Sequence, residues 1–286
     1  EARHREPVHR RRRGNGDRGR TRVTGNSPVT VTVSGGVARV ALNRPDKRNA
    51  LDSATIAGLG TVLADCAENA DVRVVQITGT GDVFCAGADL SEMQAQSSAS
   101  ESDNVAHAEK LAAVLGALDS FPKPTLARVN GDGYGGALGL IAACDIVVVA
   151  QSARFAFTEV RLGIIPAVVS PFVLAKIGER AARRYFLTAE TMTGAALKDI
   201  GLAHEAVTDG ELDSTCARLI DALLRGAPGA QAEAKRLIRD AGQAAAGRGA
   251  ASLAMAKRLA SLRVKSEARE GFEAFFAKRK PAWRRD

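Results

Sequence analysis

Two turns about fifty residues apart constrain this chain more than any other feature. The first reads Phe84-Cys85-Ala86-Gly87-Ala88-Asp89-Leu90, the second Val129-Asn130-Gly131-Asp132-Gly133-Tyr134-Gly135-Gly136. Each follows an apolar, strand-like run and opens into a helix-like one. Small residues at a helix start leave backbone N–H groups free, and negative charge is well held there. Two such donors converging on one oxygen make an oxyanion hole, which stabilises charge as it develops on a carbonyl. The turns therefore point to chemistry at a polarised carbonyl, with an acyl thioester the leading idea.

The flanking pattern predicts an α/β fold. Residues 29–33 and 36–42 alternate and are β-branched, which predicts a hairpin turning at Ser34-Gly35-Gly36. Residues 53–69 read as a helix with Asp52 or Ser53 as its cap, and 72–78 as a buried strand. Residues 91–104 are rich in Ser, Gln and Ala without a firm period and predict a mobile loop. A helix over 105–118, a strand over 124–129, a helix over 136–143 and a strand over 146–150 follow. Beyond residue 206 the pattern is helical only, over 212–224, 230–246, 252–265 and 268–278. The expected organisation is a tail over 1–24, an α/β core carrying the site over 25–205, and a helical part over 206–286.

The net charge of +8 is concentrated at one end. Residues 1–22 hold nine arginines against three acids, a net of +6, which leaves only +2 for the other residues. This tail lacks apolar periodicity and is expected to be disordered. It has no apolar signal core and no amphipathic pattern of a targeting peptide. Contact with nucleic acid through Arg10 to Arg13 is open to it, but a solvated extension is the simpler reading. No apolar run approaches the ~18 residues of a membrane span. Cys66, Cys85, Cys144 and Cys216 are scattered without metal-ligand spacing and read as buried free thiols in a reducing cytoplasm.

The second turn contains Gly131-x-Gly133-x-x-Gly136, formally the dinucleotide-binding fingerprint. That site needs an acid about 20 positions on, at the end of the next strand. Residues 146–158 contain none. The glycines are better explained as backbone donors that let a ligand approach closely.

With these motifs in place, a resemblance is plain. Asn43-Arg44-Pro45 with Asn49-Ala50-Leu51, the two turns, Ala142-Ala143-Cys144-Asp145, residues 155–166 and the terminal 275–283 resemble, in order, the crotonase superfamily, the enoyl-CoA hydratase/isomerase group. The resemblance covers residues 29–283. It implies a spiral of β-β-α units with a C-terminal helical region that forms trimers or dimers of trimers. It implies an acyl-CoA substrate that brings its own coenzyme A, with no separate cofactor, no metal and no membrane. The peptide N–H groups of Ala88 and Gly136 would be the oxyanion hole. Lys47, Arg48, Ala50, Ala86, Asp89 and Leu90 would line the coenzyme A channel, and Phe275 and Lys278 would reach a neighbouring subunit's coenzyme A.

Hydratases of this group use two glutamates around one water. The second aligns with Glu159, the only acid between Asp145 and Glu179. Partial burial there would raise its pKa and suit it to proton transfer. The first aligns with Gly139, which cannot move a proton and would leave room for a bulkier acyl group or a water, or serve helix contact. Pro166-Ala167-Val168-Val169-Ser170-Pro171 replaces the group's usual Gly-rich run. Residues 176–190 resemble the bacterial branch acting on methylglutaconyl-CoA-like substrates in leucine and terpenoid breakdown. Hydration of a 2-enoyl-CoA, branched or carboxylated, is the leading expectation. An isomerase, decarboxylase or thioester hydrolase, an RNA-binding protein and a catalytically silent acyl-CoA binder stay as alternatives. His107 reads as a residue of a surface helix, His204 as part of a turn and Asp132 as a cap or turn residue; Tyr134 packs over the acyl chain or fills core.

Overall fold

The computed structural model describes residues 20–22, 27–242 and 247–284. Its elements run β1 (Arg20–Arg22), β2 (Val29–Ser34), β3 (Val37–Leu42), α1 (Ser53–Glu68), β4 (Val74–Gly79), β5 (Val83–Cys85), α2 (Leu90–Gln96), α3 (Glu101–Asp119), β6 (Thr125–Val129), β7 (Asp132–Tyr134) and α4 (Gly136–Ala143). They continue as β8 (Ile146–Ala150), β9 (Arg154–Ala156), α5 (Ser170–Thr188), β10 (Met192–Thr193), α6 (Gly194–Asp199), β11 (Glu205–Val207), α7 (Leu212–Arg225), α8 (Pro228–Gly242), α9 (Gly247–Arg263) and α10 (Ser266–Phe276).

Two sheets result. The larger has the order β1-β2-β3-β4-β6-β8-β11, antiparallel from β1 to β3 and parallel from β3 onward. The smaller has the order β10-β9-β7-β5, with β5, β7 and β9 parallel. The chain visits them in turn: β4-β5, β6-β7 and β8-β9 each place a long strand in the large sheet and a short one in the small sheet before helix follows. This is the expected spiral of β-β-α units. The central strands are buried on both faces, as parallel strands covered by helices are. Ala38, Val75, Ala127 and Val149 face the main core under α1, α3 and α4. Their neighbours Val37, Val74, Leu126 and Val148 face Leu212, Cys216 and Ile220 of α7, the period-2 alternation of a strand. All four cysteines are buried and free.

The structure departs from the sequence reading in three places. Residues 91–104 are not a loop: α2 covers most of the first half and α3 begins at Glu101. Polar residues cap both helix starts. Asp89 accepts from the Ser91 N–H at 3.0 Å, and Ser100 accepts from the Asp103 N–H at 3.2 Å, each closing a helix start. Second, Arg20–Arg22 of the expected disordered tail forms β1 beside β2; residues 1–19, 23 and 24 lie outside the described residues. Third, a boundary at 205–206 cuts through the large sheet, because β11 pairs with β8 and α7 covers one face.

Helices α8 to α10 sit at the end of the sheet where the parallel strands begin. Arg73, just before β4, donates to the carbonyls of Trp283 (2.9 Å) and Gly226 (2.6 Å). Lys235 of α8 reaches Asp145, just before β8, at 2.7 Å. Glu267 of α10 accepts from the Gly229 and Ala230 N–H groups, both at 2.9 Å, and so caps α8. Phe275 and Phe276 are 77% and 78% exposed on this arm. With Phe272, Leu262 and Trp283 they border a groove of about 730 Å³. No helix among the described residues is long and apolar enough to cross a membrane.

Replacing Arg73 with methionine removes the donor from two carbonyls. A loss of about 2–4 kcal/mol in unfolding free energy is expected, read by urea denaturation. The fluorescence of Trp283, the chain's one tryptophan, should shift at denaturant levels where the wild type is unchanged.

Candidate active site

The first turn is held by a neighbouring stretch of chain rather than by a sheet. Residues 48–51 run alongside 86–89: the Ala86 N–H donates to Arg48 O at 2.9 Å, Leu51 N–H to Gly87 O at 2.7 Å and Asp89 N–H to Leu51 O at 3.2 Å. Two side chains clasp this arrangement. Buried Asn49 donates to the carbonyls of Thr80 (2.8 Å) and Val83 (2.7 Å) and accepts from the Arg44 N–H at 3.0 Å. Arg44 donates to Ala50 O at 2.9 Å and pairs with Asp89 at 3.0 Å and Asp52 at 3.1 Å. The Asn-Arg-Pro and Asn-Ala-Leu motifs thus act as a clasp. Their sequence spacing alone does not reveal that role, because their partners lie some thirty to forty-five residues away.

The second turn lies directly against the first. Gly87 has φ 86°, in the left-handed region that favours glycine. A Cβ on it would come 2.6 Å from the Tyr134 carbonyl oxygen, so a side chain there would force the turns apart. Gly135 has φ 51° and donates to Ala156 O at 3.1 Å. Gly136 then opens α4. The N–H groups of Ala86, Asp89 and Gly135 are engaged, but those of Ala88 and Gly136 meet no acceptor among the described residues. Two free donors on touching turns, one at a helix start, can hold a partially negative oxygen.

Glu159 borders the same place. A Cβ on Gly135 would lie 3.2 Å from Glu159 Oε1. The glutamate opens a short 3-10 helix over Glu159–Leu162, which Arg161 ties to the end of α5 through Ala189 O at 2.7 Å. Its Oε2 is buried without a hydrogen-bond partner. Burial pushes its pKa above the usual carboxylate range, against the smaller pull of its own peptide N–H.

Gly139 does not leave an open space. A Cβ there would sit 2.5 Å from Val169 Cγ1 and 3.0 Å from Leu115 Cδ1. Of the readings open for this glycine, helix contact is the one the packing supports, and the room for a bulkier acyl group is filled by Val169 and Leu115.

The expected channel residues divide. Lys47 and Arg48 are exposed on the same loop, Arg48 at 3.8 Å from Asp132. Ala50 is buried and Ala86 half-buried beside the clasp, while Leu90 is 80% exposed. Asp89 caps α2 and pairs with Arg44, so its carboxylate is taken. The Ser91 hydroxyl, its peptide N–H and Arg44 hold that carboxyl at about 2, against the opposing effect of burial. Phe275 and Lys278 lie on the arm at the starts of the parallel strands, whereas Ala88 and Gly136 follow their ends. Within one chain they are not brought together.

The two histidines among the described residues are structural. His107 is half-buried and contacts Glu92 at 3.0 Å, and Glu92 also accepts from the Ser53 N–H at 2.8 Å. This joins α1, α2 and α3, a role the surface-helix reading missed. His204 accepts from the Val147 N–H at 3.1 Å, and burial lowers its pKa. Asp132 accepts from the Tyr134 hydroxyl at 3.0 Å and the Arg154 N–H at 2.9 Å, a turn role.

The model of the enoyl-CoA hydratase/isomerase family matches residues 32–286. The chain belongs to that family. A solved enoyl-CoA hydratase from Shewanella pealeana superposes with a TM-score of 0.86 at 39% identity, over 90% of this chain and 96% of the other. The 2,3-dehydroadipyl-CoA hydratase of Escherichia coli K12 is 33% identical over 89% of this chain and 98% of its own. The mevalonyl-coenzyme A hydratase of Aspergillus fumigatus is 32% identical over 86% and 90%. A hydratase-type enzyme of the family, built on a crotonase fold and suited to an acyl-CoA substrate, accounts for these likenesses.

The two carboxyls have opposite linkage to stability. Asp89 has a lowered pKa, so its contribution is present above the usual carboxylate range and is lost as pH falls through about 2. Asp89→Asn should therefore melt below wild type at neutral pH, with the gap closing in acid. Glu159 has a raised pKa, so its ionisation costs stability once pH rises through that value. Glu159→Gln should melt above wild type at neutral pH and level with it near pH 4, as thermal melts across pH will show.

Proposed function

We propose that this chain hydrates a 2-enoyl-CoA thioester. The observation that carries the reading is the contact between the two turns, which leaves two free N–H groups beside the half-buried Glu159 carboxylate, whose Oε2 has no hydrogen-bond partner. The Ala88 and Gly136 N–H groups hold the thioester oxygen as the enolate forms. One such donor is worth roughly 10²–10³ in kcat in comparable sites. Glu159 as carboxylate takes a proton from water while the water oxygen bonds to C3. The C2–C3 π electrons move onto the thioester oxygen. The same carboxyl then returns the proton to C2 as the carbonyl re-forms, so one water is added and Glu159 ends as it began. Its raised pKa suits a group that must both accept and release a proton.

Lys47 and Arg48, exposed beside the first turn, suit the phosphates of coenzyme A. Phe275 and Lys278 would serve a neighbouring subunit's coenzyme A in a trimer or dimer of trimers, which fits their placement at the far end of the sheet. The relative acting on 2,3-dehydroadipyl-CoA supports a carboxylated acyl chain. The side chains packed against Gly136 and Gly139 are Leu51, Leu111, Leu115 and Val169, an apolar wall beside the start of α4. The single carboxylate also favours a second reading, an isomerase in which Glu159 carries a proton between C2 and C4.

Wild type and Glu159→Gln should be compared on crotonyl-CoA, 3-methylglutaconyl-CoA and a 3-enoyl-CoA, with products weighed by mass spectrometry. A gain of one water is expected, with a fall of about 10²–10⁴ in the variant. The wild-type pH profile should lose activity on the acid side above the usual carboxylate range. An unchanged mass with a shifted double bond would make the isomerase reading correct. Tight acyl-CoA binding without turnover would sink both.

A further inference from the structure

We infer that Val169 is a specificity-determining residue: it fills the volume that a second carboxylate on α4 would need, and so commits the site to Glu159 as its one proton-handling group. The catalytic half of this inference rests on the proposed hydration; the packing half does not.

The argument starts on α4. Gly136 and Gly139 are three residues apart and share one side of the helix. Each meets the same wall: Leu51 and Leu111 against Gly136, Leu115 and Val169 against Gly139. Leu111 and Leu115 are one turn apart on α3, so this wall is continuous and apolar. At residue 139 it is also full. Val169 Cγ1 at 2.5 Å and Val169 Cβ at 3.1 Å leave no place for a side chain to begin. Neither neighbour can move aside easily. Leu115 is fully buried and Val169 only 3% exposed. Val169 stands at the start of α5, where its carbonyl accepts from the Val173 N–H at 3.1 Å. The Pro166 carbonyl accepts from the Ser170 N–H at 3.1 Å and fixes the approach. A β-branched side chain has few rotamers into which to retreat. A side chain begun at residue 139 would also press on Leu115 and Val169, apolar neighbours that offer a carboxylate no hydrogen bond. Gly139 and Val169 therefore form one unit: the glycine is required by the valine, and together they exclude a second acid.

Two measurements test this. The first is a stability cycle on Gly139→Ala, Val169→Gly and the double variant; glycine is acceptable at a helix cap. Alanine normally favours a helix over glycine. Here Gly139→Ala should lower the melting temperature by a few degrees when Val169 is present and raise it when residue 169 is glycine. Additive effects would overturn the inference. Val169→Ala repeats the cycle should glycine loosen α5. The second compares Val169→Gly with Gly139→Glu/Val169→Gly on the substrate that wild type turns over. The double variant should add a second ionisation to the kcat/KM profile, and it should retain at least tenfold more turnover on adding Glu159→Gln than Val169→Gly does with that change. A folded, active double variant whose profile matches that of Val169→Gly would overturn the inference. If wild type turns over none of the three thioesters, the hydration reading fails, and the stability cycle by itself decides whether Val169 excludes a side chain at 139.

Discussion

The site depends on a short length of peptide pairing outside either sheet, where residues 48–51 hold 86–89 through three backbone hydrogen bonds. Without it the first turn would be a surface loop with nothing to define its shape. The pairing is secured by side chains that reach backbone: Asn49 to two carbonyls and Arg44 to a third, with Asp89 closing the circuit. Arg48 and Asn49 both have left-handed φ values, 52° and 57°. These are uncommon for residues other than glycine, and the surrounding bonds hold them there. A donor is useful in an oxyanion site only if it is aimed before the charge appears. In the proposed site, the clasp supplies that aim for the Ala88 N–H.

The spiral supplies the rest. Each β-β-α unit carries the chain from the large sheet to the small one and then into helix, so each unit ends in a turn at the same end of the molecule. Two successive units bring the first and second turns together, and the third brings Glu159 to Gly135. The donors and the carboxylate come from separate stretches of sequence and meet because the repeat is regular. The buried Glu159 Oε2 joins the Ala88 and Gly136 N–H groups as polar atoms that the packing there leaves without partners. Such a group is costly unless it serves a purpose.

Much of this was legible in the sequence because it is local. The helix over Gly136–Ala143 and the strand over Ile146–Ala150 match their expected limits, since continuous apolar runs bounded by turn residues leave little choice. The glycine pairs and Glu159 could be picked out by residue type. Residues 91–104 misled because Ser serves equally in loops and at helix caps; the Ser100-x-x-Asp103 spacing was the available clue. Gly139 could not be read at all without Val169, thirty positions later, because a missing side chain says nothing about what fills its place. Arg44 and Asn49 were visible as a motif but not as a clasp, because their partners are distant in sequence. The placement of Phe275 and Lys278 depends on Arg73 and Trp283, which are 210 positions apart.

That last contact has a consequence for how the molecule is made. Arg73 enters the growing chain early, just ahead of β4, yet one of the carbonyls that receives its guanidinium belongs to Trp283. During synthesis the strands can pair and the main core can close before the Gly226 and Trp283 carbonyls that receive this guanidinium have been made. The end of the sheet is sealed only when α8 to α10 have left the ribosome and folded back beneath it. A chain cut short before Trp283 would have its two turns assembled and the base of the sheet open, a difference that a quality-control protease could detect.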